Sequence, residues 1–228
     1  MQNNPNKKLI SEIHFIRHGN TEGTEKKWFY GSTDIPLSPA GVDGLAKLAK
    51  EGIYPCQAFA DATSLDENGE SEAPDLYTSG MLRAEQTFFI IYGSAPHTAI
   101  PELREINFGL FECKSHEELK GTPRYEAWLA MKGEDAAPPQ GESVREFTER
   151  IVAGWNKLLG YHRIKELSHR HSKLPAHSVV VCHGGVIGGI MMNLFEKDGK
   201  NIYAWVPDPG HGYSIIMEDG EPTGYRSF

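Results

Sequence analysis

Apolar residues recur along this chain in two rhythms. Short β-branched and aliphatic runs predict strands, beginning with Glu12-Ile13-His14-Phe15-Ile16. The run Ser178-Val179-Val180-Val181-Cys182 is continuous, as expected of a strand buried on both faces. Elsewhere the spacing lengthens to steps of three and four. Val144, Phe147, Ile151, Trp155 and Leu158 form such a stripe and predict a long amphipathic helix starting at Gly141-Glu142-Ser143. Ser38-Pro39 supplies an N-cap and a first-turn proline for a helix that runs through Leu45 and Leu48 to Gly52. Further helices are predicted over 82–92 and 186–195, and short strands over 75–79 and 97–101. A closing hairpin pairs 213–217 with 225–228 around Asp219-Gly220. Strands alternating with helices imply an α/β fold, a three-layer α/β/α sandwich with a mostly parallel central sheet. One domain is expected over 1–228, with an exposed acidic loop at 63–74, a helical cap insertion at about 112–141 and a basic, histidine-rich loop at 161–177.

Composition narrows the function without naming it. The chain has 228 residues, 39% hydrophobic and 24% charged, enough to bury a core. A net charge of −8 argues against nucleic-acid binding through bulk positive charge. It leaves room for a small anion held by local positive charge. Three cysteines, Cys56, Cys113 and Cys182, give neither a disulfide framework nor a zinc spacing. The polar N-terminus lacks a signal-peptide apolar run, and no stretch is long enough for a membrane helix. A cytoplasmic protein without membrane or nucleic-acid partners is expected; the sequence leaves oligomeric state open.

Two strands end alike, one at Arg17-His18-Gly19 and the other at His183-Gly184-Gly185. Ligands of open α/β sheets bind beyond the carboxyl ends of strands, so both histidines would meet at one sheet edge. A helix beginning after Gly184-Gly185 would direct free N–H groups at an anion. Arg83 falls in the first turn of its helix, where a cation opposes the helix dipole, which points to a role other than helix stability.

Arg17-His18-Gly19, Phe29-Tyr30-Gly31, residues 34–41 (Asp-Ile-Pro-Leu-Ser-Pro-Ala-Gly) and 77–87, and Leu103-Arg104-Glu105-Ile106-Asn107-Phe108-Gly109-Leu110-Phe111-Glu112 together resemble the histidine phosphatase superfamily, the phosphoglycerate-mutase-like fold. Gly141-Glu142-Ser143 and Val180-Val181-Cys182-His183-Gly184-Gly185 extend the resemblance over most of the chain, in order. It implies that His18 is a nucleophile forming a phosphohistidine. Arg17, Arg83 and His183 would surround the phosphoryl oxygens, and Glu105 would be the acid–base. Thr21, Thr24, Gly31, Ser32 and Gly184 would join Arg17 and Arg83 in binding substrate. Thr24 departs from the asparagine common in relatives, and Cys113 from the glycine that often follows the residue at 112. The mutase branch reads Glu-Arg-His-Tyr-Gly after the acid, whereas this chain reads Glu105-Ile106-Asn107-Phe108-Gly109. That resembles the phosphatase branch, including α-ribazole-phosphate phosphatases and broad phosphomonoesterases. Gly184 follows His183 where the acid-phosphatase branch has aspartate, consistent with Glu105 as acid. The implied activity is metal-independent phosphomonoester hydrolysis on a small phosphorylated metabolite. Phosphoglycerate-mutase-type transfer and non-catalytic phospholigand binding are the alternatives.

Other chemistries fit less well. A cysteine phosphatase needs arginine six residues after its thiolate, where this chain has Ala62, Leu119 and Gly188. No Walker phosphate loop is present. His14 and His18 lie roughly 13 Å apart along a strand, too far to share a metal. His162, His169, His171 and His177 lack a flanking carboxylate pattern, so neither metal nor cofactor is expected. Lys114, Lys120, Arg124 and Lys132 in the cap are either solvated or face an anionic leaving group.

Overall fold

The sheet is organised by β1 (Ile10–Arg17), whose alternate residues serve two separate cores. A computed structural model describes residues 9–59, 73–169 and 175–228; the expected acidic loop falls almost wholly outside them. In chain order there follow α1 (Glu22–Glu25), β2 (Trp28–Phe29), α2 (Pro39–Glu51), β3 (Asp75–Thr78), α3 (Leu82–Tyr92) and β4 (Thr98–Ala99). Next come β5 (Lys114–Ser115), α4 (His116–Leu119), α5 (Pro123–Ala130), α6 (Val144–Ser168) and β6 (His177–Cys182). The chain closes with α7 (Gly184–Leu194), β7 (Gly212–Glu218) and β8 (Glu221–Ser227).

Among the described residues the main sheet has the order β4-β3-β6-β1-β7-β8. The first four strands are parallel; β7 and β8 add an antiparallel edge. Ile13 and Phe15 point to a core with Trp155 and Leu158 of α6 and Ile187 of α7. Ile16 points the other way, to Leu45 of α2 and Phe88 and Ile91 of α3. A period-two strand between two helical layers produces this split. Ser38 caps α2 by accepting from the Gly41 N–H, and Gly52 ends it in the left-handed region. The predicted closing hairpin is present, its turn made by Asp219 and Gly220 with φ of 53° and 81°. The expected cap segment holds β5, α4 and α5 over a small cluster of Phe111, Leu119 and Tyr125.

One predicted loop is corrected. Helix α6 continues to Ser168, so 161–168 is helical. The stripe goes on beyond Leu158 with polar residues: His162 and Glu166 are buried, followed by His169 at the C-cap. His162 and Glu166 face hydroxyls on the sheet, whereas His169 Nδ1 is buried without a hydrogen-bond partner. His162 Nε2–H donates to Ser11 Oγ and its Nδ1 accepts from Ser178 Oγ, each at 2.9 Å, while Ser11 donates to Glu166. His162 and Glu166 stay helical here because they are paired. A hydrophobicity pattern has no means of showing that.

This pairing makes the fold acid-sensitive. Burial holds His162 at about 4, below its ordinary 6.5. The unfolded chain takes up a proton below about 6.5 that the folded chain refuses. The contribution is therefore present above that pH and is lost as pH falls toward 4. From His162 alone it declines by on the order of 2 kcal/mol between about pH 7.5 and about pH 5. The urea midpoint is expected to drop over this interval. His162→Gln is expected to be less stable at neutral pH and to lose the share of the dependence that His162 contributes, the rest coming from the other buried imidazoles, His14, His18 and His183.

Candidate active site

At the carboxyl ends of β1 and β6 the chain places His18 and His183 with ring centroids 5.2 Å apart. Parallel pairing fixes this: Arg17 stands opposite Cys182, and the His18 N–H donates to the Cys182 carbonyl. Both imidazoles are buried.

The hydrogen bonds of His18 set its tautomer. Nδ1 lies 2.7 Å from the Gly19 carbonyl, which can only accept, so Nδ1 carries the proton and Nε2 keeps its lone pair. Burial first, then the charges of Arg83 and Arg17, push His18 well below its ordinary value; the Gly19 bond opposes them. The ring is neutral at neutral pH, with its lone pair on Nε2. His183 is held down in the same way, by burial and then Arg83 and His18. Its Nε2 is 2.8 Å from Ser79 Oγ, which accepts from the Met81 N–H. His183 Nε2 is the one acceptor within reach of the Ser79 hydroxyl among the described residues, and with that proton given to Nε2, His183 keeps its own on Nδ1.

Arg83 is fully buried on the first turn of α3. Its terminal nitrogens donate to the carbonyls of Thr33 (3.0 Å) and Gly31 (2.9 Å), and its guanidinium lies over Tyr30. Arg17 is anchored to the Pro207 carbonyl at 2.7 Å. Three nitrogens of this group, Arg17 Nε, Arg83 Nε and His183 Nδ1, are buried without a hydrogen-bond partner.

Glu105 reaches the same edge. Its Oε2 accepts from the Gly185 N–H at 2.8 Å, and its Oε1 from its neighbour's N–H at Ile106, 3.0 Å away. A Cβ at Gly185 would lie 2.5 Å from Oε1, so only glycine allows the carboxylate this close. Helix α7 starts at Gly184, with His183 as N-cap, rather than after the two glycines. One of its free N–H groups therefore holds the carboxylate. At Gly184 itself, a Cβ would press within 3.1 Å of Arg17 Nε.

The predicted substrate loop divides. Thr21 and Thr24 form a capping box on α1, and both hydroxyls bond Tyr30 Oη. Gly31 packs so tightly that a Cβ would overlap the Ile106 carbonyl. The exposed Ser32 hydroxyl donates to Asn107. Lys114, Lys120, Arg124 and Lys132 are all exposed, and none lines the cleft beside Glu105, as their solvated reading requires.

Three residues escaped sequence reasoning as site builders. Ser79 is one. Arg150 is another: it binds the carbonyls of Glu102, Arg104 and Glu105 while paired with Glu142 at 2.7 Å, and so steadies the segment carrying Glu105. Glu112, quoted only as part of a motif, accepts from the backbone N–H groups of Gly31, Ser32, Thr33 and Phe108 at 2.9–3.1 Å. Burial alone would raise its pKa, but these bonds outweigh it and hold the carboxyl below its usual range. The residue after it, Cys113, has φ 57°, the conformation glycine takes without strain. Glu112→Ala is expected to cost about 1–3 kcal/mol in urea unfolding, because several N–H groups lose their acceptor. It should also loosen Arg83, which the 31–33 loop holds through the Gly31 and Thr33 carbonyls.

Known proteins share this arrangement of elements. A model of the histidine phosphatase superfamily (branch 1) matches residues 13–226. A Yersinia pestis (strain Pestoides F) protein named "Probable phosphoglycerate mutase GpmB" is 27% identical over 190 residues, 80% of this chain and 74% of that protein. The alpha-ribazole phosphatase of Shigella flexneri superposes with a TM-score of 0.69 at 23% identity, covering 93% of each chain. A phosphoglycerate mutase structure from Thermus thermophilus gives 0.58 at 28% identity, covering 90% of this chain and 92% of that one.

Proposed function

We propose that this chain, which belongs to the histidine phosphatase superfamily (branch 1), hydrolyses a small phosphomonoester through a phosphohistidine. The observation carrying this reading is the group of buried, unpartnered nitrogens on Arg17, Arg83 and His183 beside the free lone pair of His18. Buried donors need acceptors, and a phosphoryl group offers three oxygens.

In the first step His18 Nε2 attacks phosphorus. The N–P bond forms, the P–O ester bond breaks, and Glu105 gives its proton to the departing alkoxide. In the second, Glu105 takes a proton from water as the oxygen attacks phosphorus. The N–P bond breaks, inorganic phosphate leaves, and His18 is restored. Arg17, Arg83 and the His183 Nδ1–H stabilise the charge on the equatorial oxygens throughout, which is where most catalysis of phosphoryl transfer originates. Thr21, Thr24, Gly31, Ser32 and Gly184 act by shaping the walls of the phosphate site.

The leaving group would occupy a cleft of about 610 Å³ beside Glu105, lined by Ser32, Asp34, Arg104, Asn107, Glu142 and Arg150. Arg150 is already committed to Glu142 and backbone carbonyls. Glu142 and Arg150 offset each other, and Asp34 and Glu146 outweigh the remaining cation, Arg104. A mutase must retain an anionic acceptor in such a cleft to return the phosphoryl group, and this one is poorly suited to that. The reading is tested by following 3-phosphoglycerate and a panel of phosphorylated metabolites by ³¹P NMR. Release of inorganic phosphate is expected, fastest with one member of the panel. Net isomerisation of 3-phosphoglycerate without phosphate release would favour the mutase instead.

A further inference from the structure

At the opposite end of β1 a second group of side chains converges. Register places Glu12 of β1 opposite His177 of β6, and His14 follows on the same face two residues later. Cys56 approaches from the loop after α2, its backbone in the left-handed region at φ 58°. His14 Nε2 is 3.1 Å from His177 Nδ1 and 4.0 Å from Cys56 Sγ. The three ligand-type atoms all lie within 4.8 Å of one another. Glu12 Oε2 is 3.6 Å from the His14 nitrogen and 3.9 Å from that of His177.

The His14–His177 and His14–Cys56 separations come within about half an ångström of the edges of a tetrahedron, and Cys56 and Glu12 would have to draw in to close the others. Zinc with nitrogen at about 2.0–2.1 Å and sulfur at about 2.3 Å needs edges of roughly 3.3 Å between nitrogens and roughly 3.6 Å from nitrogen to sulfur. The surrounding contacts are those of a built site. The other His14 nitrogen, Nδ1, bonds Ser214 Oγ at 2.8 Å, which fixes the ring. Both terminal nitrogens of Arg226 hold Glu12, at 2.6 and 2.7 Å. His14 is buried while Cys56 and His177 are half-buried. Stacking, the bond between the rings and the bond to Ser214 account for the two imidazoles. They do not account for a thiol and a clamped carboxylate beside them.

We propose that His14, Cys56 and His177, completed by Glu12, bind one zinc-class divalent cation that ties β1 and β6 to the loop after α2. A thiol with imidazoles selects a borderline-soft ion over magnesium or calcium. Burial pushes the Cys56 thiol up to about 12, so the ion must displace its proton on binding. The site is separate from the phosphoryl chemistry: His14 precedes His18 by four residues of extended chain, roughly 13 Å.

The test is titration of the full chain, freed of metal by chelation, with Co²⁺ and then Zn²⁺. Expected are one equivalent of Co²⁺, a thiolate-to-cobalt charge-transfer band, its displacement by Zn²⁺, and a zinc-dependent rise in melting temperature that Mg²⁺ does not produce. Cys56→Ser should abolish the charge-transfer band. His177→Gln should weaken binding on the order of 100-fold, and neither change should alter phosphatase turnover. In the unaltered chain, zinc should protect Cys56 but not Cys113 from alkylation, read by peptide mass mapping. Absence of the thiolate band, lack of Cys56 protection, or binding that survives both substitutions unchanged would overturn the proposal.

Discussion

His18→Ala is expected to lower kcat by on the order of 10⁴–10⁶-fold, the scale seen when a covalent nucleophile is removed. The reason is specific to how His18 is held. Its Nδ1 proton is fixed by the Gly19 carbonyl, so the lone pair is already on Nε2. Burial and the neighbouring guanidiniums keep the ring neutral. No nearby group can substitute, because His183 presents a proton on its free nitrogen rather than a lone pair. Binding should outlast chemistry. Arg17 and Arg83 are anchored to the carbonyls of Pro207, Thr33 and Gly31, none of which depends on His18. Inorganic phosphate should therefore still bind His18→Ala at concentrations close to those that inhibit the parent protein. Acid-labile ³²P incorporation should be found in the parent and absent from the variant. A variant that turned over at the parent rate would remove His18 from the reaction.

How far the sequence led to this site depended on the range over which each signal acts. Ser38-Pro39 and Gly52 bound α2 as expected because capping is local chemistry. The two histidines were placed together by strand ends, since parallel neighbours in a sheet bring their termini to one edge. Arg83 was singled out by its conflict with a helix dipole, and its burial and carbonyl partners explain why the conflict is tolerated. What stayed hidden acts at long range. Glu112 serves backbone N–H groups some eighty residues earlier in the chain, and Arg150 serves carbonyls more than forty residues earlier. Neither residue type marks such a partner in its own neighbourhood. The end of α6 was missed for a related reason. His162 and Glu166 read as part of a basic, histidine-rich loop until Ser11 and Ser178 are seen across from them. Cys56 comes from a loop, so its approach to His14 has no sequence spacing to reveal it.

Glu105→Gln should divide substrates by their leaving group. An alkoxide departs slowly unless it is protonated, whereas an aryl oxide departs readily as the anion. If Glu105 is the acid, kcat/KM for an alkyl phosphate should fall by about 10²–10⁴-fold in the variant. Phosphohistidine formation from an aryl phosphate should fall far less. The carboxylate takes one N–H on each oxygen, from Gly185 and Ile106. A glutamine amide can satisfy only one of them and turns a donor toward the other, so some displacement is expected besides loss of the acid. Glu105→Ala separates the two effects, because it removes the acid without opposing either N–H. Both variants should show the same preference for aryl over alkyl substrates in single-turnover measurements, where the burst reports the first step alone. Dephosphorylation of the enzyme should slow for every substrate, since the same carboxylate must then take a proton from water. Equal losses on alkyl and aryl esters in the first step would mean that Glu105 only supports the walls of the phosphate site and that the leaving group draws its proton from elsewhere.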